Sequence, residues 1–467
     1  MSDTNTRAVV WLAAIALTGS SAVACSGKSP TASAAAGEMT DGAARAAGDD
    51  SGPSASDDGS TGASSGSAGS SGSASGGATS SGSSGGSSSG ASSGSGDAGG
   101  PAPSGDAGPD VCPSASHVCG LKVVRGSSSS PGHITNGSGN VVQLHGVNIG
   151  GTEYMCTQGT AVFYAFTPDQ GTMDTLKSYN VNAVRVPLNE QCWLGVNGLP
   201  TITGGAAKYR QTITDYVHLI TQNGMAAILD LHVASPGTMK GTNFEIQMAD
   251  NDHSTMFWSQ IGAAFANDSA TIFDLYNEPN GNLTWSCWAG GCTLTTNCVA
   301  GQCGSVSYQV AGMKTLLQAV RGAGAQNVVM MAGLGFSSDF SSWVANVPSD
   351  PNIVASWHMY DDIIGCPSCP SPAQTQSQAS VDKVISAGYP VIMSEVGISA
   401  ATSPSSASKT WLSGVLNLLV SQGQGFTAYE WGTPGDDPAL LNTASSDGSK
   451  VTLTAYGTAY TGDIAGL

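Results

Sequence analysis

From residue 112 onward, apolar residues come in eight short runs, separated by stretches whose apolar positions recur at helical spacing. The runs lie at 143–148, 181–187, 225–231, 270–276, 327–332, 353–358, 390–394 and 425–431. They are rich in Val, Ile and Leu and are bounded by Gly, Asn and Pro, the pattern of strands buried on both faces. Helices are predicted over Thr212–Gln222, Met256–Ala266, Val306–Arg321, Ala379–Ala387 and Thr410–Gln422. Strands alternating with helices predict a parallel sheet covered by helices. Eight strands in about 350 residues suit an α/β fold of the (β/α)8 TIM-barrel type, with its chemistry at the C-terminal strand ends. An open doubly wound sheet is the alternative, but no Gly-rich phosphate turn follows the first run. Leu121–Val124 and Val141–Leu144 flank a Gly/Ser/Pro-rich turn, which predicts a small cap hairpin or a lead into the first strand.

The first 110 residues belong to no such pattern. Arg7, the apolar stretch Ala8–Leu17 and the small residues Ala22-Val23-Ala24-Cys25 read as an export signal spanning 1–25. Its apolar centre is short for a permanent membrane span. Its end resembles a bacterial lipoprotein signal, which implies lipidation of Cys25, although Ala22 stands where that pattern prefers Leu. Plain secretion is the alternative. Residues 26–110 are Ser, Gly and Ala with scattered Asp, too poor in large apolar groups to offset chain entropy. They are expected to form a disordered tether with a root-mean-square reach on the order of 50 Å, leaving 112–467 as the folded domain.

The formal net charge is −18, of which −7 falls in the tether and −11 in the folded part. A chain this acidic suits a neutral substrate better than nucleic acid or an anionic lipid surface. Apart from Cys25 there are ten cysteines, an even number that predicts disulfides in an oxidising compartment. Local pairs are expected at Cys112–Cys119, Cys156–Cys192 and Cys366–Cys369. Cys287, Cys292, Cys298 and Cys303 are expected to supply two more, with the pairing open. Zinc binding is the rival reading of that cluster, and a redox role is the rival for Cys366-Pro367-Ser368-Cys369.

Chemistry-bearing residues gather where the runs stop. The second run ends in Val184-Arg185-Val186-Pro187, the third in Asp230-Leu231-His232, the fourth in Asn277-Glu278-Pro279. The sixth gives Trp357-His358-Met359-Tyr360, the seventh Ser394-Glu395 and the eighth Tyr429-Glu430-Trp431. A carboxylate held by a proline-restricted backbone at a buried strand end is a general-acid candidate, because desolvation raises its pKa. Alone, Glu278 could be a solvated loop acid, Arg185 a structural ion pair, His232 and His358 satisfied core histidines and Trp431 core. Their joint appearance at one end of successive strands favours a site, and two glutamates so placed are the elements of glycosidase chemistry.

This set, in this order, resembles glycoside hydrolase family 5, the large family of retaining cellulases and mannanases on (β/α)8 barrels. The resemblance runs from about Leu121 to the C-terminus and is most specific at Asn277-Glu278 and Ser394-Glu395. It implies Glu278 as acid/base, Glu395 as nucleophile and Arg185 as the cation that keeps Glu395 ionised. It further implies Asn277 as the partner of the sugar 2-hydroxyl, with His232, His358 and Tyr360 around the cleaved bond. Trp431 matches the family's aromatic platform beneath the sugar, and Glu430, expected to point away from it, is left out of the mechanism. Two departures bear on cleft detail: Val396 follows Glu395 where the family often has Phe, and His145 precedes Gly146-Val147-Asn148 where Arg is frequent.

Glu153, Tyr154 and Trp193 lie just past strand ends and are further candidates for substrate contact, as are Trp285, Trp288 and Trp343 in the loops. Asp250-Asn251-Asp252-His253 reads as the cap of a helix starting near Ser254, with a metal site as the rival. No metal or organic cofactor is expected. The expected function is a retaining β-glycanase, first an endo-β-1,4-glucanase, acting as a monomer on a neutral polysaccharide and meeting a membrane only through its lipid anchor. Mannan, xylan or β-1,3-glucan backbones and exo action are the enzymatic alternatives. A non-catalytic carbohydrate-binding lipoprotein, or a disulfide-rich adhesin or spacer, is the alternative of another class.

Overall fold

The computed structural model describes residues 112–467 except 114–116, 128, 160, 238–245, 297–304, 362–369 and 435–437. The signal segment, Cys25, the tether, Cys298, Cys303 and the Cys366–Cys369 pair lie outside the described residues.

All eight predicted strands form, and they close into one parallel barrel. In chain order they are β1 (His145–Asn148), β2 (Ala183–Asn189), β3 (Ala226–Val233), β4 (Thr271–Asp274), β5 (Val329–Ala332), β6 (Ile353–Tyr360), β7 (Val391–Gly397) and β8 (Gly425–Ala428). Each pairs with its neighbours in sequence, and β8 closes on β1 with Phe426 opposite His145. The rival open sheet is thereby excluded, since a closed barrel has no edge strand.

Helices cover the outside, and local chemistry sets their starts. Pro372–Ser386 opens on a capping box between Ser371 and Gln374 with Pro at its first position, and Gln170–Ser178 on one between Asp169 and Thr172. Gly205–Gln222, Ser254–Phe265 and Ser406–Ser421 extend three of the predicted helices. Gln170–Ser178 and Ala455–Ile464 were not predicted. Among the described residues no helix is long and apolar enough to cross a membrane.

Two local expectations are corrected. Val306–Gln309 is a strand paired antiparallel with Thr293–Thr296, and the helix begins only at Met313. Its strict apolar–polar alternation has the period of a strand, and Gly312 separates it from the helix. Lys122–Val124 and Val141–Val142 do not form a hairpin; each pairs with a strand between them, His133–Thr135. The helix expected near Ser254 does start there, with His253 of the predicted capping segment as its N-cap, though His253 makes no side-chain cap bond. Asp250 Oδ1 instead accepts from the His253 amide at 2.8 Å.

The interior of the barrel is layered by strand periodicity. At the N-terminal end, Ala183, Ile228, Ile272, Met330, Val354 and Ile392 meet Leu121, Ile134 and Val142 of the three-stranded cap in an apolar plug. Two residues further along their strands come Arg185, Asp230, Asp274, Ser356 and Ser394, all fully buried. The inward positions thus change from apolar to polar in a single step of the two-residue repeat. A second, larger cluster of Trp, Phe, Leu, Ile and Val side chains fills the space between barrel and helices.

Predicted disulfides Cys112–Cys119 and Cys156–Cys192 are present, and Cys287 pairs with Cys292. Cys156–Cys192 ties the loop after β1 to the short helix Glu190–Leu194 after β2.

Candidate active site

The polar layer is the floor of the site. Arg185 Nη1 donates to Glu395 Oε1 at 2.8 Å and to Asn148 Oδ1 at 3.0 Å, and its Nη2 to Asn277 Oδ1 at 2.8 Å. Asp230 and Asp274 each approach Nη2 at 3.1 Å. Burial works to lower the guanidinium pKa, but these three carboxylates outweigh it and push the pKa up. Burial also pushes Asp274 up to about 7 against the pull of Arg185, so one cation need not balance three full negative charges.

Ser356 donates to Asp274 Oδ2 at 3.0 Å and shares a hydrogen bond with Ser394. Asn148 Nδ2 and Thr427 Oγ1 both donate to the Ser394 carbonyl. Ser394 and Glu395 are consecutive, yet both engage the barrel interior. The pairing register explains this: Trp357 faces Met393, but the next residue, His358, faces Glu395, so Ser394 is the extra residue of a β-bulge. A bulge re-aims side chains next to it. Here it presents Glu395 one layer above Ser394.

The upper layer holds the reactive groups. Burial pushes the Glu395 carboxyl up, while Arg185, His232 and the Tyr360 hydroxyl, which donates to Oε2, draw it back down. His358 Nδ1 stands 2.8 Å from Glu278 Oε1 and 3.5 Å from Glu395 Oε2, bridging the two carboxyls. Burial, with Arg185 and His232 nearby, holds His358 well below the usual range, so its imidazole is neutral. One oxygen of Glu278, one of Glu395 and a ring nitrogen of His358 all lie within 4.8 Å of one another. Glu395 is 4 % exposed, whereas the Glu278 side chain is 19 % exposed. The acid open to the cleft and the acid sealed beneath it are therefore different groups.

His232 Nδ1 bonds Asp230 Oδ2 at 2.7 Å, and its Nε2 lies 3.3 Å from Asn277 Nδ2. Because the Asn277 oxygen is taken by Arg185, its amide NH2 faces the ring edge at His232 Nε2. Glu153 Oε2 accepts from the Gly151 amide at 2.7 Å. Burial raises its carboxyl to about 7, with His232 pulling it down. Tyr154 follows it, part-buried. Arg185, His232, Asn277, Glu278, His358, Tyr360, Glu395 and Glu153 are thus brought together as the sequence suggested.

Trp431 and Trp193 are not. Trp431 is 0 % exposed, in the apolar core with its ring centroid 5.6 Å from that of Tyr179. A ring without exposed surface offers no face to a sugar. The aromatic group at the mouth of β8 is Tyr429, part-exposed, its ring 6.4 Å from that of Tyr360. β8 ends at Ala428, short of the predicted 431, so strand alternation does not carry through to Trp431. The Glu430 carboxylate presses against Gly150, where a Cβ would meet its Oε2 at 2.0 Å. Trp193 packs on Phe257 and Phe265 and donates to Gln260 Oε1 at 3.1 Å, in the helical layer. Trp288 and Trp343 are likewise fully buried, their indole N–H groups bound to the Ala332 and Met331 carbonyls. Trp285 alone of these three is part-exposed.

Among the described residues two trios have metal-ligand proximity, Glu278/His358/Glu395 and Glu190/Asp250/His253. In the second, Glu190 accepts from the Ser235 amide at 2.7 Å and the Ser254 hydroxyl at 2.6 Å. Burial and the adjacent Asp250 push the Glu190 carboxyl well up, which favours its protonated form. The pair thereby ties the loop after β3 to helix Ser254–Phe265.

A closed parallel barrel with two glutamates converging at its C-terminal mouth is the architecture of a barrel glycoside hydrolase. The family model described as cellulase, glycosyl hydrolase family 5, matches residues 135–435, and the chain belongs to that family. Among curated proteins it is 23 % identical to the cellulase CelDZ1 of a Thermoanaerobacterium species over 265 residues, 56 % of this chain and 59 % of that one. It is 30 % identical to the endoglucanase gh5-1 of Neurospora crassa over 141 residues, 29 % of this chain and 33 % of that one. The chain thus spans about a third to three-fifths of these relatives' length. Among solved structures, a thermostable and halotolerant cellulase of the same family from an Icelandic hot spring isolate superposes with a TM-score of 0.55. It shares 18 % identity over 76 % of this chain and 96 % of that one. A β-glucanase of Saccharophagus degradans in complex with cellotetraose gives 0.53 at 16 % identity, over 76 % and 95 %. At these identities the superpositions speak for the fold.

Proposed function

We propose that this chain is a retaining endo-β-1,4-glucanase in which Glu278 is the acid/base and Glu395 the nucleophile. The observation that carries it is the approach of their carboxyl oxygens to within 4.8 Å. Direct attack by a carboxylate needs a separation of roughly 5–5.5 Å, whereas an inverting pair stands about 6.5–9.5 Å apart to admit water. Glu395, fixed by Arg185 and Tyr360, attacks the anomeric carbon. Glu278 gives its proton to the departing oxygen, and the C–O bond breaks as the bond to Glu395 forms. Water then attacks the glycosyl-enzyme, with Glu278 taking its proton and Glu395 leaving as carboxylate. Asn277, held through its oxygen by Arg185, has its NH2 turned to the site and suits the sugar 2-hydroxyl.

Endoglucanase relatives support β-1,4-glucan as the backbone. The working chain is an exported monomer, held at the cell surface by a lipid on Cys25 and a tether at 26–110. The test is to incubate the chain with soluble cellulose derivative, mannan, xylan and β-1,3-glucan and to identify the products. Internal cleavage of the cellulose derivative with retained anomeric configuration is expected, and preference for another backbone overturns the substrate assignment. Loss of a palmitate label in Cys25→Ala tests the anchor.

A further inference from the structure

Asp274 ends β4 and is fully buried on the polar floor, beneath the reactive groups. Its Oδ2 gathers donors from two other strands. From β2, Arg185 Nε donates to it at 3.2 Å and Arg185 Nη2 lies at 3.1 Å. From β6, the Ser356 hydroxyl donates at 3.0 Å. Ser356 has a single hydroxyl proton and gives it to Asp274, so in the Ser356–Ser394 pair Ser394 is the donor.

Charge balance does not account for this acid. Arg185 already faces Glu395 at 2.8 Å and Asp230 at 3.1 Å. A third buried carboxylate adds desolvation cost without adding a cation. Burial raises its carboxyl to about 7, which suits a group used for its contacts rather than its charge.

The contacts do account for it. A guanidinium is planar, so gripping its Nε–Nη2 edge fixes where Nη1 points. Here Nη1 points to Glu395 Oε1 and Asn148 Oδ1. Through Ser356 the same Asp274 oxygen reaches Ser394, the extra residue of the bulge that lifts Glu395. The Ser394 carbonyl is held from the other side by Asn148 and Thr427. Glu395 is thus placed by two supports, its arginine and its bulge, and both are tied to one atom. We propose that Asp274 is a positioning residue for Glu395, setting the angle of Arg185 directly and the bulge at Ser394 through Ser356.

The inference rests on the reading of Glu395 as the nucleophile of a retaining β-glycosidase. It is tested on the whole chain with dinitrophenyl and methylumbelliferyl β-cellobiosides, comparing kcat/KM, which reports the first bond cleavage. Asp274→Ala should lose about a hundredfold, the scale of a nucleophile displaced by an ångström. Ser356→Ala leaves the Arg185 contact in place and should lose about two- to tenfold, the scale of one hydrogen bond. Asp274→Asn keeps an oxygen for the same donors and should retain most of the activity. Adding Ser356→Ala to Asp274→Ala should slow the enzyme no further, because the link is already cut. Inhibition by cellobiose, which measures binding alone, should change by less than about twofold throughout.

Dinitrophenolate leaves without a proton, so a displaced nucleophile gives the same loss on both glycosides. A loss confined to the methylumbelliferyl glycoside places the effect on Glu278 and overturns the proposal. Unchanged kcat/KM in Ser356→Ala overturns it too, including where Asp274→Ala does not fold. So does a loss in Asp274→Asn as deep as in Asp274→Ala. Each of these leaves wild-type hydrolysis, and with it the function, standing. If wild type cleaves only mannosides or xylosides, the glucan reading falls and the same variants in that series decide the role of Asp274. If it cleaves no aryl glycoside or polysaccharide, both fall.

Discussion

Arg185 Nη1 lies 2.8 Å from Glu395 Oε1, and the same guanidinium faces Asp230 and Asp274 with no contact to water. One cation therefore serves the proposed nucleophile above it and the barrel's polar floor around it. Arg185→Met should cost about 3–5 kcal/mol, because buried carboxylates lose their counter-charge. Arg185→Lys should retain more stability than Met but lose activity, since an ammonium cannot match the planar fork. Urea unfolding and kcat of both variants check this.

Glu278→Ala and Glu395→Ala should each abolish nearly all hydrolysis while the chain stays folded. Azide distinguishes the two roles. In Glu395→Ala it can take the nucleophile's place and give a glycosyl azide of inverted configuration. In Glu278→Ala it can intercept the glycosyl-enzyme and give the retained one. Normal hydrolysis by either variant removes the assignment.

Tyr429→Ala should lower kcat/KM by about two- to tenfold, the scale of one aromatic contact, with little change in melting temperature. Trp431→Ala should instead destabilise the fold by about 3–5 kcal/mol, as expected for a large buried ring. Equal effects on activity and stability in both variants would contradict the exchange of roles between these two residues.

Glu153 gives stability a pH dependence of defined sign. Its folded pKa, about 7, lies above the ordinary value of 4.5, so between those limits the folded state binds more protons than the unfolded one. Its contribution to stability is therefore highest below pH 4.5, declines as pH rises, and is fully lost above pH 7. The decline is on the order of 3 kcal/mol. Melting curves from pH 5 to 8 should show a steeper fall for wild type than for Glu153→Gln.

Removing the Cys156–Cys192 bridge by paired substitution to Ala should cost about 2–4 kcal/mol, on the scale of closing a loop of this size. Because the bridge anchors the loop carrying Glu153 and Tyr154, KM for long substrates should rise more than KM for short ones. Denaturant midpoints and oligosaccharide kinetics measure the two effects separately.

The sequence by itself determined the eight strands and their parallel arrangement, because burial on both faces writes a continuous apolar run into each one. It also marked Arg185, His232, Asn277, Glu278, His358, Tyr360 and Glu395, since each sits where such a run meets polar residues, and a barrel collects those ends at one mouth. Where a strand stops is less legible. Val306–Gln309 carried a strand's alternation inside an apparent helix, and β8 ended at Ala428, which puts Tyr429 at the cleft and Trp431 in the core. Only the tertiary structure decided that Trp193 packs among helices and that a bulge at Ser394 lifts Glu395 above the polar floor. Periodicity records whether a side chain is buried, a local property. Which neighbours bury it depends on closure of the barrel and on contacts between segments far apart in the chain.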